Sequence, residues 1–178
     1  MESVERIEQR ARIRYELARV RRALLGFAPV FAIVGAAALF AKRPSTTVAF
    51  GVAVFAVGTV LLWYGRDLRR AVLPGLAAGL VPLVITLCAN HVGHACMGDA
   101  CMAVCIPACA TGGVLAGLAV ASVGIRRQSG AGFWIAVSSV ALLTGAMGCG
   151  CVGYAGVGGL VLGFGVGLAS RLLARSRT

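Results

Sequence analysis

The sequence predicts an all-α, polytopic transmembrane bundle of about six helices with both termini on the cytoplasmic side. Three observations carry that expectation. The chain is 59% hydrophobic and 13% charged, with a mean hydropathy of +0.90, whereas soluble domains are about half apolar and about a quarter charged. Apolar runs at 23–41, 46–65, 71–90, 104–125, 131–149 and 152–170 each approach the roughly 20 residues that cross a bilayer as a helix. Basic residues alternate with these runs, so that only Lys42 and Arg43 of the 17 fall on the side opposite the rest. The positive-inside rule makes the populated side cytoplasmic. A net charge of +11 would suggest nucleic acid in a soluble chain. Here no soluble fold remains to present a basic face, so the bilayer is the expected partner and nucleic acid is not.

Residues 1–22 form the first unit, a cytoplasmic charged helix. No Gly or Pro interrupts ESVERIEQRARIRYELARVRR, and Val4, Ile7 and Ala11 give it a narrow apolar face for the membrane interface. Glu2, Glu5, Glu8 and Glu16 make it unlike the short basic leader of a signal peptide, so the first apolar run reads as an uncleaved helix. Residues 23–170 form the six-span domain, with short connections that make neighbouring helices antiparallel. The third span contains Pro74 and Pro82, which bend it at a cost that membrane helices tolerate. In the fourth, Pro107 leaves two starts open. A helix beginning at Pro107 leaves 101–106 as loop; one beginning near 101 is kinked there. Residues 171–178 are a basic cytoplasmic tail.

The 25 glycines have a packing role. Ala155, Gly159, Gly163 and Gly167 recur every fourth residue in the sixth span, and Gly113 with Gly117 and Gly75 with Gly79 repeat the device. Such stripes let helix backbones approach closely, either within the bundle or against a second copy or another membrane subunit. Arginine pairs at 21–22, 69–70 and 126–127 open each hairpin, a rhythm that internal basic loops produce without any repeat. The stretch GGVLAGLAVASVGIRRQSGAGFWIAVSSVALLTGAMG (112–148) resembles small Gly/Ala-rich bacterial membrane domains of unknown function, on composition. That resemblance implies a bacterial membrane protein and no activity.

Chemistry gathers in one span. CANHVGHACMGDACMAVCIPACA (88–110) holds five of the seven cysteines and both histidines. The remaining pair, Cys149 and Cys151, sits in the turn between the last two spans. By the topology above, all of these, with Met97, Met102 and Met147, map to the outer face of a bacterial inner membrane. Structural disulfides suit that oxidising compartment. Cys96 with Cys101 would close a tight loop, and Cys105 or Cys109 with Cys149 or Cys151 would tie the two outer turns. An odd cysteine remains. A soft-metal site is the alternative, because thiolate, thioether and imidazole suit copper and zinc. His91, His94, Cys96, Cys101, Cys105, Cys109, Cys149 and Cys151 are its candidate donors. If the fourth helix begins near 101, Cys101, Cys105 and Cys109 share one helix face, drifting about 40° per step. Thiol–disulfide exchange comes third, without a C-x2-C pair or a nearby cation to activate a thiol. Inert packing of cysteines as small hydrophobes is the bland fourth.

Other function classes are excluded by what is missing. No charged residue lies at a span midplane, where proton and ion pathways leave one. There is no phosphate-binding loop, no paired carboxylate for hydrolysis and no Ser/His/Asp set, hence no catalytic residue. The expectation is an integral membrane protein of structural or accessory type with a disulfide-tied Cys/His/Met-rich outer cap. Soft-metal handling is the alternative and a membrane oxidoreductase the third reading.

Overall fold

The computed structural model describes residues 2–40, 44–64, 66–92, 100–127, 129–150 and 153–176; within helices, the side chains at 2–5, 7, 19, 22–29, 40, 44, 64, 66, 67, 69, 90–92 and 100–103 fall outside that description. The described chain is an all-α bundle: α1 Glu2–Phe40, α2 Pro44–Tyr64, α3 Arg66–Val92, α4 Ala100–Arg127, α5 Ala131–Cys149 and α6 Tyr154–Ser176. Among the described residues five of them, α2 to α6, are long and apolar enough to cross a membrane, and α1 carries a shorter apolar segment, Val30–Leu39. Large apolar side chains such as Leu39, Leu73, Ile135 and Leu162 are exposed on the outside, which a bilayer accommodates and water does not.

Helix lengths refine the sequence reading. The charged N-terminal unit and the first span are one continuous helix of 39 residues. At 1.5 Å per residue it is about 58 Å long, against about 30 Å of hydrocarbon. Its N-terminal part therefore projects beyond the bundle, and residues 8–15 are all exposed. Ala11, part of the expected apolar face, is among them; the side chains of Val4 and Ile7 lie outside the described residues. At the other end α6 runs on to Ser176, so Arg171 and Arg175 sit on helix rather than in an irregular tail.

Two parallel helix pairs hold the bundle. In a chain of alternating spans, elements two apart run the same way; α4 packs most extensively on α6, and α3 on α5. The α4–α6 seam is backbone on backbone. A β-carbon at Gly163 would collide with the carbonyl of Ala110, and one at Gly167 with that of Val114. Reciprocally, β-carbons at Gly113 and Gly117 would strike the carbonyls of Leu160 and Phe164. Such proximity brings glycine Cα–H groups onto carbonyl oxygens, contacts worth about 0.5–1 kcal/mol each. Gly159 faces Ile106 more loosely, 3.5 Å from its carbonyl oxygen to an added β-carbon. Ala155 is exposed. Three of the four stripe residues thus face α4 in the same chain.

The α3–α5 seam alternates small and bulky residues. Added β-carbons would lie 2.9 Å from the Val137 carbonyl oxygen at Gly75 and 2.6 Å from that of Ala141 at Gly79. Buried Pro82 projects between α4 and α5, where β-carbons at Gly112 and Gly145 would meet its ring at 2.8 Å. Gly148 leaves room for the hydroxyl of Thr86, which donates to the carbonyls of Pro82 and Leu83 at 2.8 and 3.0 Å. Of α5's apolar window 61% is buried, against 22% of α2's. Thus α5 is the central helix, touching every other one. Thr47 of α2 donates to the Met147 carbonyl at 3.3 Å, a bridge between helices where no water competes. Pro74 has no N–H for the Arg70 carbonyl four residues back; Arg127 of α4 donates to that oxygen at 3.2 Å instead.

These seams predict unequal tolerance. Gly163→Val should destabilise the protein in detergent by about 1–3 kcal/mol or abolish folding, as overpacking does. Gly165→Val, where an added β-carbon meets nothing within 4 Å, should change stability by less than about 0.5 kcal/mol. Thermal unfolding of the two variants side by side measures the difference, and equal losses would refute the assigned seam.

Candidate functional site: a buried thiol pair between two helix ends

The α4 helix begins at Ala100 and contains Pro107, which settles the two starts left open by the sequence. Cys101, Cys105 and Cys109 then lie along one helix face. Cys105 and Cys109 are both buried, at 1% and 0% exposure, as is Cys149 at 0%. Cys149 is the last residue of α5, whose capping Gly150 donates its N–H to the Ala146 carbonyl. A tight turn follows. The N–H of Gly153 returns to the carbonyl of Gly150 at 3.1 Å, with Gly153 at φ 74°, where a side chain is strained. This turn fixes where α6 starts relative to Cys149.

The outcome is a contact between helices. Cys109 and Cys149 pack together in one buried cluster, with their thiols close enough to interact. Ala146 and Leu160 complete the buried cluster around them, with Phe50, Leu142 and Val157 packed against it. Apolar residues of α2, α5 and α6 therefore pack around the pair. The described cysteines Cys88, Cys105, Cys109 and Cys149 are not in disulfide bonds. Two thiols in such contact can share a proton, or can be joined covalently after losing two electrons and two protons.

The other candidates are placed differently. Cys88 is exposed on α3, away from the buried pair. His91 lies in the last turn of α3 and Cys101 in the first of α4, but only their backbones are described. His94, Cys96 and Cys151 lie outside the described residues, as does Met97. Met147 sits in the hydrophobic cluster formed with Val30, Val54, Leu83 and their neighbours. Among the described residues no group of three metal-binding side chains converges. Comparison with protein-family models, curated proteins and solved structures found no match.

Sequence spacing had offered Cys105 or Cys109 to Cys149 or Cys151; among the described residues Cys109 packs beside Cys149, and Cys151 lies outside them. The spacing missed the cover over the pair, Phe50 of α2, because nothing in that span distinguishes one apolar residue from another. Accessibility follows. A maleimide applied to reduced, folded protein in detergent should label Cys88 and leave Cys105, Cys109 and Cys149 unmodified until denaturant is added. Peptide mapping reads the sites, and equal labelling of Cys88 and Cys149 would contradict the burial.

Proposed function

We propose that this chain is a structural or accessory protein of the bacterial inner membrane whose outer cap is tied by a Cys109–Cys149 disulfide. The reading is carried by one observation, the packing of these two fully buried cysteines against each other across α4 and α5. In an oxidising compartment such a pair is joined by a disulfide-bearing oxidoreductase, which takes up two electrons and two protons as the S–S bond forms. The partner acts before α2 and α6 close over the site. Oxidation then links the α3–α4 hairpin to the α5–α6 hairpin and contributes about 2–4 kcal/mol. Complete burial favours a structural bond over an exchanging one, since exchange needs a thiolate to reach a sulfur from outside.

The topology belongs to the same proposal. Arg70, Arg126, Arg127, Arg171 and Arg175 lie at one end of the bundle and the thiols at the other, so the positive-inside rule directs the arginines and both termini to the cytoplasm and the cysteine-rich end to the periplasm. A second bridge, Cys96 with Cys101, belongs to the same reading. Further membrane partners would use outward small residues such as Gly158 and Gly165, because Gly163 and Gly167 are occupied by α4.

Alkylation of unreduced, denatured protein followed by mass spectrometry tests the reading. The expected result is a Cys109–Cys149 cross-linked peptide, and a lower unfolding temperature on reduction or in Cys109→Ser. Seven alkylated cysteines would overturn it. If those thiols came with one copper or zinc ion per chain, lost in Cys109→Ser and Cys149→Ser, the site would be a soft-metal centre instead.

A further inference from the structure

A cavity of about 500 Å³ opens at the basic end of the bundle, where the last turns of α4 and α6 meet the start of α5. It lies at the opposite end from the thiols and does not depend on their chemistry. Gly124 shapes it: a β-carbon there would collide with the indole of Trp134, so the outer edge of the ring fits against α4. Trp134, Leu168 and Leu172 make an apolar wall, and Ser129, Ser138 and Arg175 supply the polar groups. Among the described residues no carboxylate lines the cavity.

The two serines are distinctive. Hydroxyls inside these helices generally bond back to their own backbone, as Ser122 does to Leu118 at 2.8 Å and Ser139 to Ile135 at 2.7 Å. Ser138 makes no such bond among the described residues, and both it and Ser129, which lies between α4 and α5, border the cavity. Arg126, Arg127 and Arg171 are exposed at the same end of the bundle but lie outside the lining, so Arg175 is the charge at the cavity itself. An amphipathic Trp, an apolar wall and an arginine at one bilayer interface match a ligand that is apolar along its length and anionic at its head.

We propose that this cavity binds one anionic phospholipid, with its phosphate at Arg175 and Ser129 and an acyl chain along Trp134, Leu168 and Leu172. Ser138 lies seven residues beyond the start of α5, roughly 10 Å deeper, at the level where its hydroxyl meets a glycerol ester carbonyl. An apolar wall alone does not select a lipid, because acyl chains are as apolar as leucine. Selection comes from the head: the arginine fork pairs with phosphate oxygens by charge-assisted hydrogen bonds, and basic pockets between spans hold anionic head groups in this way.

Native mass spectrometry of the delipidated full chain, supplied with equal dioleoylphosphatidylglycerol and dioleoylphosphatidylcholine, tests the proposal. One phosphatidylglycerol per chain should survive collision energies that strip phosphatidylcholine. Arg175→Gln should weaken its retention about tenfold, the effect of losing one charge-assisted hydrogen bond, and Gly124→Leu should weaken it by filling the cavity. Arg171→Gln, exposed and outside the cavity, should bind as the parent does. Ser138→Ala, which keeps the helix and removes only the hydroxyl, stands in where either variant fails to fold and should also lose lipid. Equal retention of the two lipids, or equal losses in Arg171→Gln and Arg175→Gln, would overturn the site in favour of a diffuse basic surface.

Discussion

Contact between backbones without side chains in the way is the constraint on which this bundle rests. In a bilayer the lipid tails are as apolar as any leucine, so burying a leucine against another helix gains little; close packing and interhelical polar contacts must supply the association. The α4–α6 seam meets that requirement with Gly113 and Gly117 on one helix against Gly163 and Gly167 on the other. The α3–α5 seam meets it with Gly75, Gly79, Gly145 and Gly148, and with Pro82 filling the space that Gly112 and Gly145 leave. Glycine is among the poorer helix formers in water. Here each glycine is offset by the carbonyl or ring that takes its β-carbon's place.

Those seams position both candidate sites. Register along α4–α6 brings Leu160 beneath Cys109, and the register of α5 puts Cys149 beside it. At the other end the same pairings bring the C-terminal turns of α4 and α6 against the start of α5, leaving the space where Gly124 admits Trp134. One end buries its thiols; the other is open, basic and bordered by hydroxyls. The two seams link these ends through rigid, parallel helices.

Much of the fold was legible because hydropathy is a local sum. Runs of apolar residues locate α2 to α6 to within a few positions. Their ends were less legible: α1 continues unbroken from the charged segment into the apolar one, and α6 carries its arginines as helix. Helical propensity does not stop where hydrophobicity changes. Pro107 is an instance of the same limit, since proline is compatible with a helix start and with a kink, and only the structure shows α4 reaching back to Ala100. The candidate site was half legible. Cysteine spacing put Cys105 and Cys109 on one face, but Trp134, Ser138 and Arg175 carry no mark in the sequence that would join them.

By itself the sequence determined that this is a membrane-spanning helical chain, where its spans lie, that its arginines gather at one end, and that its small residues form stripes. Each of these is a property of consecutive residues or of one helix's own periodicity. Only the tertiary structure decided that the α6 stripe is spent on α4 rather than on a second copy, that Cys109 meets Cys149 while Cys88 faces outward, and that three helix ends enclose a cavity. Those depend on which helices pair, and on the rotation of each about its axis. Both are set by carbonyls, rings and glycines from distant parts of the chain fitting together, and no local pattern encodes that fit.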